Sequence, residues 1–454
     1  MISKHVDKGW PVRKRGQCPT SPGTEMSTTF VMEQRLHPIE RLLLGLRYVQ
    51  NFLRRRHPRE QKTKKKRDKI AIMHEIYYLW RILRGLCLLP ATFTETGYIS
   101  FSWTSWVTLL TVSFWAVMAP YAAMVCYLIA AAEIEKTGDQ KEGLQEFSQM
   151  AAVTIVTMFE VYVPVPLFLS MRSFTKLTYS WERMEIKYLK LTGSPPKLGI
   201  KPLTYGLFVI TQVYSVILLV GLHDQIGWPF WMMLPFTHAV LCTVSITMVW
   251  VSGYVAIAVL AYDLARRTFK DCEAQGVTGL RRHRLLWLHI VKLLHTFHSC
   301  WSAVQAPLIF WTFVISTLYF FNFIRTLMLS WDGLSACVYS FTILTCKEIN
   351  LLRKLGQNLL VWIACAGCLF FVCFSAQIAT ESVTCARQTV LRLPLSRRGA
   401  FFQNEAFTFL EEMREKQLSL TLNGFIAINR SRVITMMVVA LTYCIVLSQF
   451  TLLK

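Results

Sequence analysis

Residues Leu441–Lys454 read LTYCIVLSQFTLLK. Leu, Cys, Ile, Val and Phe make the stretch apolar enough for lipid, yet Thr442, Tyr443, Ser448 and Gln449 are polar, and four residues follow Phe450. An amide that faces hydrocarbon is costly, whereas one that faces water is not. On a helical wheel of about 100° per residue with Thr442 at zero, Val446 falls at about 40° and Gln449 at about −20°. Tyr443, Leu447 and Phe450 fall at roughly 100°, 140° and 80° on the same wheel. The helix thus carries a Thr/Val/Gln stripe and a Tyr/Leu/Phe stripe. Repeated around a symmetric oligomer, the first stripe stacks an apolar ring against an amide ring, the arrangement of a pore with a hydrophobic gate. Gln449 hydrogen-bonded between packed helices fits the periodicity equally well, so spacing alone leaves both readings open.

Working outward, this stretch is the last of seven like it. The chain has 454 residues, 53% of them hydrophobic, and a mean hydropathy of +0.37. Only 17% are charged, below the roughly 25% of soluble domains. Apolar stretches near 104–132, 147–170, 203–222, 236–260, 303–329, 358–379 and 433–451 each suit a bilayer crossing of about 20 residues. Backbone groups in lipid must be satisfied within the segment, so the expected fold is an all-α membrane protein with seven transmembrane helices. Residues 1–30 contain no apolar signal-peptide core, so the first spanning helix is expected to direct insertion.

Charge sets the expected orientation. The formal net charge is +22, and residues 1–102 carry 20 Lys/Arg against 8 Asp/Glu, including RRR at Arg54 and KKKR at Lys64. Beside seven spans, such runs point to cytoplasmic retention and not to nucleic acid. The 133–146 loop has 5 acidic and 2 basic residues, 221–235 has no Lys or Arg, and 171–202 and 261–302 hold 7 Lys/Arg each. The N-terminus is therefore expected in the cytoplasm and the C-terminus outside. Lys347, Arg353 and Lys354 in the 330–357 loop run against that assignment, though long loops follow the rule poorly.

Four regions follow. Residues 1–102 form a basic cytoplasmic region with two amphipathic helices, His37–Arg56 and Ile70–Pro90, suited either to the headgroup layer or to packing against other helices. Residues 103–379 form a six-helix transmembrane domain. Residues 380–432 form a cytoplasmic region whose Gln403–Leu422 segment spaces Phe407, Leu410, Met413, Leu418 and Leu420 among charges, as in an assembly helix, before the helix-breaking Asn423–Gly424. Residues 433–454 form the seventh helix.

Nothing in the sequence points to an enzyme: no phosphate-cradling glycine loop, nucleophile elbow or metal-spaced histidine set occurs, and no cofactor or metal is expected. Cys365 and Cys368 lie in an apolar helix and read as packing residues. Cys337 and Cys346 share the expected third external loop, where a disulfide is chemically open to them. Asn429 begins an Asn-Arg-Ser triplet but falls on the expected cytoplasmic side. The informative residues are polar ones inside spans. Glu160 lies mid-span, where a carboxylate costs about 3 kcal/mol, beside Tyr162 and just before Pro164 and Pro166, which free backbone carbonyls. Gln212, Tyr214, His238 and Asn322 are further polar groups in spans. Such groups mark a cavity or an interhelical hydrogen bond, and a ligand pocket among the first six helices is the preferred reading.

Thr442-Tyr443, five residues, then Gln449-Phe450 resembles the TY-x5-QF signature of the insect gustatory receptor family. GFIAINRSRV (Gly424–Val433) resembles that family's approach to its seventh helix, and LRGLCLLP (Leu83–Pro90) its N-terminal segment. The resemblance implies a homotetrameric, ligand-gated, nonselective cation channel related to insect odorant receptors, possessing a cytoplasmic anchor domain and one central pore lined by the final helix. It implies a small-molecule tastant bound within each subunit's first six helices, the plasma membrane of sensory neurons as location, and other gustatory receptors as further partners. By position, Val446 would be the constriction and Gln449 the pore-facing amide. Sugar-sensing members have Glu after Thr-Tyr, whereas this chain has Cys444, which disfavours a sugar. The alternatives are a seven-helix receptor coupled to G proteins, which needs an external N-terminus and a cytoplasmic tail, and a transporter, for which no internal repeat is evident.

Overall fold

The computed structural model describes residues 71–93, 99–136, 143–226, 229–340, 346–393, 398–415, 420–422 and 426–452. In chain order these form α1 (Ala71–Gly85), β1 (Thr92–Phe93), β2 (Ile99–Ser100), α2 (Trp106–Lys136), α3 (Gly143–Tyr162), α4 (Pro164–Thr192), α5 (Lys201–Ile226), α6 (Phe230–Ser340), α7 (Cys346–Leu391), α8 (Ala400–Glu415), β3 (Thr421–Leu422), β4 (Ile426–Ala427) and α9 (Arg430–Leu452). The expected all-helical character holds, with only two antiparallel two-residue strand pairs among the described residues. Four described helices are long and apolar enough to cross a membrane, or five if the pair either side of Val163 counts as one broken span.

The break at Val163 follows from sequence. Pro164 and Pro166 open α4, where a missing N–H costs nothing at a helix start, and the two helices meet at 45°. A second break divides α6. Gly276 has φ 60° and ψ −135°, a conformation open to glycine and strained for residues with a Cβ, and it turns the helix back into two arms, 230–275 and 277–340. Near their packing contact a Cβ on Gly253 would run into the Phe297 ring, so the bare glycine sets how closely the arms approach.

The first arm of α6 is the centre of the bundle. Its most apolar stretch is 94% buried, against 33% for those of α2, the second arm of α6, and α7. Those partly covered helices present large apolar side chains outward, as α2 does with Leu109, Leu110, Val117 and Tyr127. Apolar surface on that scale suits lipid, not water. At 1.5 Å per residue the 46 residues of α7 reach about 69 Å, over twice the ~30 Å hydrocarbon core, so α6 and α7 extend well beyond lipid.

Of the two readings open for the segment before the first span, packing within the protein is the one observed. Leu79, Trp80 and Leu83 of α1 are buried, and Glu75 accepts backbone N–H bonds from Gly199 (2.9 Å) and Ile200 (2.7 Å) at the start of α5. A carboxylate there satisfies otherwise unpaired donors and complements the helix dipole. The helix expected over His37–Arg56 lies outside the described residues. One expectation needs correction. The helix read over Gln403–Leu422 is described only to Glu415, and Thr421–Leu422 instead pair with Ile426–Ala427. Asn423–Gly424, between the two strands, is a hairpin signal as well as a helix breaker.

Candidate functional site

Where α3, α5, both arms of α6 and α7 converge they leave a cavity of about 430 Å³, within the range of small-molecule sites. Its wall is apolar and aromatic: Tyr162 of α3, Tyr214 of α5, Phe236 of the first arm of α6, and Trp311 and Tyr319 of the second. No described lining residue is charged. The hydroxyls of Thr211, Ser215, Thr247 and Thr312 donate to carbonyls of their own helices at 2.7–2.9 Å. Tyr214 donates likewise to the Leu360 carbonyl. With those protons committed, these groups offer a ligand lone pairs only, while the Tyr162 and Tyr319 hydroxyls and the Trp311 indole N–H on the same wall are donors, so the cavity suits a neutral, largely apolar molecule with a few polar groups of either kind. Cys365 and Cys368 also line it.

The polar residues singled out in the spans divide between two places. Tyr162 and Tyr214 reach the cavity, whereas Gln212 and Asn322 are not among the described lining side chains. Glu160 is fully buried and lies behind the wall with His238, their Oε1 and Nδ1 atoms 2.7 Å apart. His238 Nε2 donates to the Leu86 carbonyl at 3.0 Å, and the Phe114 and Trp115 rings pack on the imidazole at 5.0 and 5.9 Å between centroids. Cys242, one turn along, brings its Sγ to 3.6 Å from His238 Nδ1.

At the other end of the chain, Asn429 caps α9 by accepting the Arg432 N–H at 2.8 Å, and Gln377 Oε1 accepts from Arg430 N at 3.0 Å. The segment before the last helix thereby fastens it to α7. Along α9, Cys444 is 2% exposed, its Sγ 3.7 Å from the Thr317 carbonyl of α6. Cys444 lies about 200° round the wheel from Thr442, so the side opposite the subunit's own helices carries Thr442, Val446 and Gln449, all exposed. Tyr443 is exposed too, while the Phe450 side chain is outside the described set, as are those of Cys337 and Cys346.

No family model matches the chain. Over 385 residues it is 23% identical to gustatory and odorant receptor 24 of Anopheles gambiae, a match covering 82% of this chain and 77% of that protein. It is 23% identical over 282 residues to gustatory and odorant receptor 21a of Drosophila melanogaster, covering 60% of this chain and 56% of the relative. Among solved structures, the insect olfactory receptor OR5 from Machilis hrabei superposes with a TM-score of 0.61 at 12% identity, over 83% of this chain and 98% of that one. The same receptor in complex with eugenol gives 0.60 at 13% identity, over 84% and 99%. The chain is a homologue of the insect gustatory and odorant receptors. It has the fold of an insect olfactory receptor.

In this chain α8 has two distinct sides. Phe402, Ala406 and Phe409 are buried, Phe409 meeting Trp287 of α6 edge-on at 5.6 Å. Arg284 clamps the same side through Glu405 at 2.7 Å and through Glu412. Phe401 and Phe407 face outward, whereas Leu410 and Met413, expected on the assembly stripe, are half-buried. Cys242 joins Glu160 and His238 without being a polar residue that stands out in a span. The signal that could have found it is its spacing: four residues after His238, a cysteine shares the imidazole's helix face.

Proposed function

We propose that the chain is the subunit of a ligand-gated cation channel in the plasma membrane, opened by a small neutral molecule held in the cavity between α3, α5, α6 and α7. In this reading seven helices cross the bilayer, with the N-terminus in the cytoplasm. Four subunits place their α9 helices around one pore, the extramembrane ends of α6 and α7 with α8 hold them together, and the ligand is a tastant. The observation that carries the reading is the asymmetry of α9. One face is fixed at Cys444 to the subunit's own α6, and the opposite face presents Thr442, Val446 and Gln449 with nothing of the described chain against it. An exposed amide on a membrane helix needs water or a partner, and a fourfold pore supplies water.

The cavity supports the ligand half of the reading. Its volume and uncharged lining fit a compact apolar molecule, and the solved relative of the same fold was determined with eugenol. Whole-cell recording from cells expressing this chain alone tests the proposal. A battery of small neutral odorants and tastants should include at least one that opens a cation current within the membrane patch, persisting in excised patches without nucleotide. A response that needs cytoplasmic G protein would instead favour a coupled seven-helix receptor.

A further inference from the structure

Behind the cavity wall, the Glu160 carboxylate, His238 Nδ1 and Cys242 Sγ lie within 4.8 Å of one another. Glu160 and Cys242 are buried and His238 is half-buried, and the proposed channel mechanism uses none of them. We propose that they form a binding site for a divalent transition metal of the zinc class, joining α3 to the first arm of α6.

The donor set selects the class. Calcium and magnesium take oxygen ligands, whereas a carboxylate, an imidazole and a thiolate together suit zinc. Cys242 Sγ lies 3.6 Å from His238 Nδ1 and 3.5 Å from Nε2, over the imidazole ring, so the thiol must turn toward the Glu160 side of Nδ1 to share a tetrahedral ion with it. The 2.7 Å His238–Glu160 contact would open to about 3.3 Å around the same ion, a shift of one carboxylate. His238 and Cys242 are one helical turn apart, so a single face presents both.

The surroundings are arranged as metal-bound histidines require. The Leu86 carbonyl can only accept, so the 3.0 Å contact fixes the proton on His238 Nε2 and leaves Nδ1 turned toward Glu160. A second partner of this kind holds the tautomer of a metal-bound imidazole. Glu160 Oε2 is buried with no hydrogen-bond partner among the described residues, and a metal ion supplies one.

Charge is the strongest argument. Binding a divalent ion expels the Cys242 thiol proton and the proton shared by His238 and Glu160 to water. Two positive charges enter and two leave, so the thiolate and carboxylate neutralise the metal and the buried cluster gains no net charge. That balance matters where charge is costly. Phe236 and Val240 flank His238 and Phe159 adjoins Glu160, and all three line the cavity, so an ion here would stiffen one cavity wall.

The test uses tag-free full-length chain in detergent, equilibrated with Zn²⁺, desalted, and measured for metal by mass spectrometry. The expected result is one zinc per chain, falling at least tenfold in Cys242→Ser, which preserves size and leaves the metal-free cluster uncharged, and in Glu160→Gln. Cys300→Ala, elsewhere in α6, should retain the full equivalent. With Co²⁺ as probe, the parent should show a thiolate-to-metal charge-transfer band that Cys242→Ser lacks while eluting with the same oligomer size. Zinc content equal in parent and Cys242→Ser, or a cobalt spectrum without the thiolate band, overturns the site.

Discussion

Gln449 is exposed on a helix whose other side is pressed to α6 at Cys444, and this pairing turns a question of periodicity into one of chemistry. Val446, 40% exposed on the same side, is the residue to widen. An apolar ring that dewets blocks ions without a charged barrier, so Val446→Ser should give ligand-independent cation current at matched surface expression. Gln449 meets ions already in water. In a tetramer Gln449→Glu adds a ring of carboxylates and should shift the bi-ionic reversal potential toward divalent cations, while Gln449→Lys should suppress cation current. If both charge variants keep the parental reversal potential and conductance, α9 is a packing helix and the pore lies elsewhere. Thr442 makes a weaker probe, because its hydroxyl already bonds the Val438 carbonyl at 2.9 Å.

The two arms of α6 meet at a glycine with no space for a side chain. Gly253 has no room for a Cβ beside Phe297, and that ring is held in place by Tyr254 at 5.0 Å, itself bonded to His298 at 2.9 Å. Gly253→Ala should lower the unfolding temperature of solubilised protein, and so should Phe297→Ala, which leaves a cavity worth about 3 kcal/mol or more. The two should not add. With the ring gone the new methyl has space, and the double variant should recover at least about 1 kcal/mol of the summed loss; simple additivity would show that the arms do not meet there. Nothing in the sequence marked this contact, because a glycine inside an apolar run looks the same whether it faces lipid or a ring. Element lengths were legible only in part, for a related reason. Hydropathy reports where a helix lies in lipid, so it found 236–260 and 303–329 but not that the charged 261–302 stretch continues both as helix around Gly276. Among the site residues, Tyr162 and Tyr214 stood out as polar groups within spans, and the structure places both on the cavity. Cys242 gave no such signal, since cysteine counts as one more apolar residue until His238 is seen beside it.

At the scale of the whole molecule, charge and apolar surface make separate predictions about orientation and assembly. The acidic 133–146 loop and the basic flanks of the α6 turn should lie on opposite sides of the bilayer. An epitope inserted between residues 137 and 142 should be stained in intact cells, and one between 394 and 397 only after permeabilisation; the reverse pattern would undo the proposed topology. In the proposed assembly α8 is the contact to test. Its inner side is fully engaged, since Phe402, Ala406 and Phe409 are buried and Arg284 holds Glu405 and Glu412. Phe401 and Phe407 remain 85% and 61% exposed, and in the proposed topology they lie on the cytoplasmic side, away from lipid. Two large aromatic side chains facing water on one short helix suit a second copy of the chain, because aromatic residues dominate the energetics of such contacts. Replacing both with Glu should leave α8 seated on its own subunit, through contacts on the far side, while removing the reason for subunits to associate there. The solubilised double variant should elute at monomer size with an unfolding temperature within a few degrees of the parent's, and should carry no current. Phe402→Glu should behave differently, lowering the unfolding temperature itself, because it forces a charge into a buried position. A Phe401/Phe407 double variant that still elutes as the parental oligomer would show that α8 holds its own subunit together and that assembly rests on α9 or on the extramembrane ends of α6 and α7.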